Sequence, residues 1–161
     1  MAAVAAKPEE AASPGRERPE SGPLSFGEPV DFGSLKGTLR WPVRGKLRRS
    51  VRDAPLRFRK AGIWLVGASN APVRAVAAGR VAFADEFRGL GQLIILDHGD
   101  GFLSLYAETA ELLKREGDFV ETGEAIGSLG AASAGTPRLY FEIRHKGTAQ
   151  DPLKWCAPHR G

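Results

Sequence analysis

The sequence has few of the residues that build metal sites and disulfides. Its 161 residues include one cysteine, Cys156, and three histidines. A single cysteine excludes an intramolecular disulfide framework and any multi-cysteine metal site within the chain. The histidines are predicted in a hairpin turn (His98), after a strand (His145) and in the tail (His159). Such scattered positions indicate no metal site.

Long apolar runs are also missing. No run approaches the ~20 residues that cross a bilayer, and residues 1–6 are too short for the apolar core of an export signal. The chain is therefore either cytosolic or a piece of an exported protein whose signal lies upstream.

Large side chains are scarce at the start of the chain. Residues 1–25, rich in Ala, Pro, Glu and Gly, are predicted to be a disordered linker. Residues 26–40 are expected to be an extended lead-in, and residues 41–158 one folded domain. With 42% hydrophobic residues, such a domain can bury a core without a metal or a disulfide.

Positive charge is concentrated in one stretch. The net charge is only +4, yet residues 40–60 carry many basic side chains against the single acid Asp53. Such a run favours nucleic acid, anionic lipid or an acidic protein, or it is a solvated basic loop. Because aromatic residues are not interleaved at stacking intervals, we expect no nucleic-acid partner.

Short strands separated by glycine-rich turns dominate the rest of the chain. Residues 73–76 and 79–85 are predicted to pair, and residues 92–96 and 102–107 to form a hairpin. Only residues 109–115 have helical character. Many short strands with almost no helix predict an all-β sandwich or half-barrel.

In the stretch 135–144, GTPRLYFEIR, a Gly-Thr-Pro bend is followed by residues 138–144, which alternate with a period of two. Leu139, Phe141 and Ile143 are predicted to face the core. The other set is expected on a presented face, where we expect the function: Arg138, Tyr140, Glu142 and Arg144.

Four stretches in order carry a resemblance to a known family. They are NAPVRAVAAGRV at 70–81, IILDHGDGFLSLYA at 94–107, GDFVETGEAIG at 117–127 and GTPRLYFEIR at 135–144. The last is similar to the family pattern T-G-P-H-L-H-F-E-I-R. Over residues 41–155 the chain resembles the LytM domain of the M23 zinc peptidoglycan endopeptidases. The resemblance implies a two-layer sheet or half-barrel with one short helix.

The chemical residues of the family are replaced. Active members bind zinc through H-x-x-x-D and the second histidine of H-x-H, and handle protons with the first histidine of H-x-H and that of Y-x-H. The matching zinc positions hold Lys60, Trp64 and Tyr140, and the proton-handling positions hold Glu108 and Arg138. Ammonium, guanidinium and indole groups supply no zinc ligand. The resemblance therefore implies no metal, no cofactor and no catalytic residue, with Glu108 and Arg138 forming a salt bridge.

Within the family, the pattern most resembles the EnvC-type murein hydrolase activators, through WPVRG at 41–45, SLY at 104–106 and LYFEIR at 139–144. The resemblance implies that a degenerate groove docks the regulatory segment of a zinc N-acetylmuramoyl-L-alanine amidase, because Tyr, Trp and Arg commonly anchor interfaces. The predicted groove residues are Lys60, Trp64, Tyr106, Glu108, Arg138, Tyr140 and Arg144.

The same resemblance implies a place and further partners. It places the chain in the Gram-negative periplasm at the septum, with the export signal outside this sequence. A divisome membrane protein would bind a missing upstream region, and the domain is expected to be a monomer. Two alternatives stay open: a peptidoglycan-binding scaffold, and a residual endopeptidase with an unconventional site.

Overall fold

The computed structural model describes residues 31–49 and 62–158. The predicted linker and the groove candidate Lys60 lie outside the described residues. The strands in chain order are β1 (Lys46–Arg48), β2 (Ile63–Val66), β3 (Pro72–Arg74), β4 (Gly79–Phe87), β5 (Gly91–Gly99), β6 (Phe102–Thr109), β7 (Glu111–Leu112), β8 (Phe119–Val120), β9 (Ala125–Ser128), β10 (Arg138–His145) and β11 (Thr148–Gln150).

Most of these strands form one large antiparallel sheet. Within the described ranges it has eight strands in the order β8-β4-β5-β6-β10-β2-β1, and β11 pairs with β10. The predicted hairpin at 92–107 is confirmed as β5 and β6, with Leu96 opposite Ser104. The alternating stretch is confirmed as β10, which lies between β6 and β2.

A second sheet of three strands, in the order β3-β9-β7, packs on the large one. The predicted pairing of residues 73–76 with 79–85 is therefore wrong, because β3 pairs with β9 while β4 pairs with β5. Ala75, Val76 and Ala77, which connect β3 to β4, are fully buried. These small apolar side chains fill the space between the two sheets, so the chain crosses the core there instead of turning back on itself.

The helix expected at residues 109–115 is also wrong. Its backbone is used in the small sheet, where Leu112 faces Gly127 and the Leu113 amide donates to the Ile126 carbonyl. The α-helix of the described residues, α1 (Pro152–Trp155), lies near the end of the chain instead. The Asp151 side chain caps it by accepting from the Leu153 amide at 3.0 Å.

The main core fills the space between the sheets. It joins Val73, Ile126 and Leu129 of the small-sheet side to side chains of the large sheet such as Ile94 and Phe141. We call the face of the large sheet toward this core the inner face, and the opposite one the outer face. A second apolar cluster lies on the outer face.

Two residues of the predicted lead-in belong to the main core. Phe32, in a 3-10 turn (Phe32–Leu35), stacks on His98 with ring centroids 4.5 Å apart and packs against Phe102 and Trp155. Leu39 pairs with Cys156 in an isolated parallel bridge. The two ends of the described chain are therefore joined through the core. No helix among the described residues is long and apolar enough to cross a membrane.

Candidate functional site

Strand β10 alternates between the two faces of the large sheet, as predicted, but its outer side chains are not all exposed. Tyr140 retains only 1% of its accessible surface and Glu142 only 4%. Tyr140 is buried because Trp64, Leu93 and Ala107 pack around it in the second apolar cluster. The face predicted to be presented is therefore a packed layer at Tyr140 and becomes partly exposed at Arg138 and Arg144.

Trp64 and Tyr140 form the aromatic centre of this layer. They are direct partners across β2 and β10, and their ring centroids are 5.1 Å apart at an interplanar angle of 55°. The guanidinium carbon of Arg138 lies 4.8 Å from the centroid of the Trp64 ring. A cation at this distance from an indole face is attracted by the ring quadrupole.

The predicted salt bridge between Glu108 and Arg138 is present. Arg138 Nε donates to Glu108 Oε1 at 3.1 Å, and the two side chains are 17% and 23% exposed, respectively. Because Arg138 also covers Trp64, the ion pair extends the aromatic centre toward β6.

Glu142 is a functional candidate that the sequence analysis placed on the presented face but did not include in the groove. Its Oε2 accepts from the Tyr140 hydroxyl at 2.5 Å, and its Oε1 accepts from Arg144 Nε at 2.7 Å. Burial, together with the hydrogen bond to Glu142, raises the pKa of Tyr140 above its usual 10. Tyr140 therefore stays protonated and donates its hydrogen to Glu142.

These side chains form one connected row across the outer face. We call it the outer-face cluster, and its members in order are Glu108, Arg138, Trp64, Tyr140, Glu142 and Arg144. Charges stand at its two ends and aromatic rings in the middle. Five of the seven predicted groove residues are brought together here.

Tyr106 is placed elsewhere. Its ring packs on Phe141 at the inner face, and its hydroxyl accepts from the Val76 amide at 3.1 Å and lies 2.9 Å from Ser104 Oγ. Burial raises the pKa of Tyr106 as well. The large sheet separates Tyr106 from the outer-face cluster, because successive side chains of a strand point to opposite faces.

His98 is hydrogen-bonded to Ser104, which also contacts the Tyr106 hydroxyl. Its Nδ1 is 2.8 Å from the Ala78 carbonyl oxygen and its Nε2 is 2.7 Å from Ser104 Oγ. A carbonyl only accepts, so Nδ1 carries the proton. Burial lowers the pKa of His98, although Ala78 and Asp97 favour the charged form. This histidine joins β5 and β6 to the buried crossing at residues 75–78.

The outer-face cluster does not fit a zinc ion. Trp64 offers no lone pair, the Tyr140 hydroxyl is committed to Glu142, and Arg138 places a fixed positive charge beside both. In residues 31–49 and 62–158, no group of three His, Cys, Asp or Glu side chains is arranged to hold a metal ion. What the cluster presents at the surface is the partly exposed Glu108, Arg138 and Arg144, backed by the buried Trp64 and Tyr140 rings.

Two packed antiparallel sheets, with the outer-face cluster on the larger one, have the architecture that the resemblance to the M23 family implies. The family profile described as Peptidase family M23 matches residues 59–152. The chain belongs to this family.

Relatives within the family include named activators. The murein hydrolase activator NlpD of Escherichia coli (strain K12) is 37% identical over 119 residues, which cover 73% of this chain and 31% of NlpD. The murein hydrolase activator EnvC of the same strain is 36% identical over 126 residues, which cover 77% of this chain and 30% of EnvC. The chain therefore spans about a third of the length of these curated relatives.

A solved structure shows the same fold. The antimicrobial peptidase lysostaphin from Staphylococcus simulans superposes with a TM-score of 0.53 at 24% identity, covering 65% of this chain and 46% of that one. The predicted all-β, lysostaphin-like architecture and the resemblance to LytM-type activators are both confirmed.

Proposed function

We propose that this domain activates a murein hydrolase without cutting peptidoglycan itself. Its relatives NlpD and EnvC are named murein hydrolase activators. The observation that carries the proposal is the Trp64–Tyr140 pair, which fills two positions where the family resemblance implies zinc ligands. A buried aromatic pair supplies no group for hydrolysis, and it backs Arg138 and Arg144, whose partly exposed side chains a partner can reach.

The hydrolase that we infer is a zinc N-acetylmuramoyl-L-alanine amidase of the periplasm, acting where the septal wall is split. The domain docks the amidase's regulatory segment at the outer-face cluster. Arg side chains are enriched among interface residues that dominate affinity, and Arg138 and Arg144 are the partly exposed arginines of this cluster. Activation follows if the domain binds the open state of the amidase more tightly than the closed state, because only differential affinity shifts a conformational equilibrium.

The direct test measures dye release from labelled sacculi with this chain alone, with a purified amidase from the same organism alone, and with both. We expect release above the amidase background only in the mixture. Release by this chain alone would support the residual endopeptidase instead. Sedimentation with sacculi and no effect on the amidase would support the scaffold.

A pair of arginine variants tests the location of docking. Arg144→Ala removes a 35%-exposed side chain held on Glu142 at the end of the outer-face cluster. Arg74→Ala is the matched control, because Arg74 is exposed on β3 of the small sheet, where its Nη1 donates to the Gly123 carbonyl. We expect Arg144→Ala to weaken activation and Arg74→Ala to leave it unchanged. Equal activation by both variants would show that the amidase does not dock at the outer-face cluster.

A further inference from the structure

A bulge interrupts β6 beside the outer-face cluster. Gln92 of β5 stands opposite Thr109 of β6, and Ile94 stands opposite Tyr106. One residue of β5, Leu93, therefore faces two residues of β6, Ala107 and Glu108. An extra residue in one strand of an antiparallel pair is a β-bulge, and bulges often redirect a side chain near a functional site.

Glu108 adopts a backbone conformation that is rare for its residue type. Its φ is +63°, in the left-handed region, which is unfavourable for residues that have a Cβ. The neighbouring strand is adapted to it. Gly91 approaches so closely that a Cβ at that position would lie 3.3 Å from the Glu108 Cα, and the Leu90 carbonyl accepts from the Glu108 amide at 2.8 Å.

The bulge changes the face on which the Glu108 side chain lies. Tyr106 points to the inner face and Ala107 to the outer face, so regular alternation would direct residue 108 inward. Its carboxylate instead reaches Arg138 on the outer face. A partly exposed ion pair contributes little to stability, so the ion pair alone is a weak reason for keeping a glutamate in a strained conformation.

We propose that Glu108 is a positioning residue of the docking surface. The bulge brings the Glu108 carboxylate to Arg138 Nε. This ion pair holds the guanidinium over the Trp64 ring before the partner arrives. A preordered side chain loses less conformational entropy on binding than a mobile one. This inference rests on the proposed function, since the partner it serves is the amidase.

A glycine substitution tests the effect of the Glu108 backbone conformation on stability separately from the effect of its carboxylate on binding. Glu108→Gly relieves the backbone and removes the carboxylate. Asp100→Gly is the matched control, because Asp100 also has a positive φ (+53°) and lies in the β5–β6 turn, outside the outer-face cluster. We expect both variants to melt at or above the wild-type temperature. Only Glu108→Gly is expected to weaken binding of the purified amidase, by about tenfold or more in calorimetric titration.

A second variant tests whether binding needs the Arg138 cation at its own position or only an ion pair between positions 108 and 138. The double variant Glu108→Arg with Arg138→Glu restores an ion pair but removes the cation from position 138. We expect it to regain stability relative to either single variant and to bind the amidase as weakly as Glu108→Gly. Recovery of wild-type affinity would overturn the positioning role, because it would show that any ion pair at this place suffices.

A measurement without the partner completes the test. The Arg138 Nε–H signal in ¹⁵N NMR is expected to be resolved and protected in the wild type and lost in Glu108→Gly. An unchanged signal, or unchanged amidase affinity, would overturn the inference. If the wild-type chain itself fails to bind and activate the amidase, the proposed function fails and the docking role of Glu108 falls with it.

Discussion

Tyr140 lies directly opposite Trp64 across two antiparallel strands, with the ring centroids 5.1 Å apart. These are two of the positions at which the family resemblance implies zinc ligands. The pair is buried and continuous with Arg138 on one side and Glu142 on the other. Trp64 and Tyr140 are therefore part of one packed unit that is joined to charged side chains at both ends.

The hydrogen bond between Tyr140 and Glu142 predicts that substitutions of the two residues have non-additive effects on the free energy of unfolding. Tyr140→Phe should lower the free energy of unfolding by about 1–3 kcal/mol, because a buried carboxylate loses one of its two donors. Urea denaturation of both single variants and of Tyr140→Phe with Glu142→Gln gives the interaction energy. A coupling near zero would contradict the hydrogen bond described here.

Zinc binding should be absent. After dialysis against micromolar zinc and gel filtration, we expect far less than one equivalent of metal by mass spectrometry, because the cluster lacks a zinc donor set. A chelator should leave the melting temperature unchanged. One retained equivalent, with a chelator-sensitive melting temperature, would revive the residual endopeptidase.

His98 predicts a pH dependence of stability. Burial holds its folded-state pKa below the usual 6.5. Below about pH 6.5 the unfolded chain therefore binds a proton that the folded chain does not. The contribution of His98 is complete above that pH, and stability decreases as the pH falls through 6.5, by at most about 1.4 kcal/mol per pH unit.

The control for this prediction is His98→Gln, which cannot titrate. Denaturation between pH 7.5 and 5.5 should show a smaller slope in the variant than in the wild type. Identical slopes would show that the His98 pKa is the same in the folded and unfolded chains.

The lead-in should be required for folding stability. Phe32→Ala is expected to lower the free energy of unfolding by about 3–5 kcal/mol, because the ring is fully buried against His98, Phe102 and Trp155. Ser34→Ala, in the same turn, removes an exposed hydrogen bond to the Asp31 carbonyl and should change little. Similar small effects from both variants would show that the lead-in is dispensable.

The sequence predicted the strands better than their pairing. Alternation identified β10, because half-buried strands repeat every two residues, and the Gly and Asp turn residues identified the β5–β6 hairpin. The predicted pairing of β3 with β4 was wrong. A local sequence pattern cannot show that Ala75, Val76 and Ala77 fill the space between two sheets. Two strands that are adjacent in the sequence were therefore predicted to pair with each other.

The candidate site was predicted to a similar degree. Family spacing brought Trp64, Glu108, Arg138 and Tyr140 to one place, where the structure also has them. Exposure could not be predicted, because the packing around Tyr140 comes from Leu93 and Ala107 on other strands. Tyr106 was predicted to line the groove because it lies in the family motif. Its side chain instead points to the inner face, because Ala107, the next residue of the strand, points to the outer face. The bulge at Glu108 has no local sequence signal.

We propose that this chain activates an amidase and does not itself cut the wall. The most direct measurement is dye release from labelled sacculi by the chain, by the amidase and by their mixture, each with wild type, Arg144→Ala and Arg74→Ala. We predict release above the amidase background only in the mixtures, with less release for Arg144→Ala than for wild type or Arg74→Ala. Release by the chain alone, or a mixture no more active than the amidase alone, would contradict the proposed activator role.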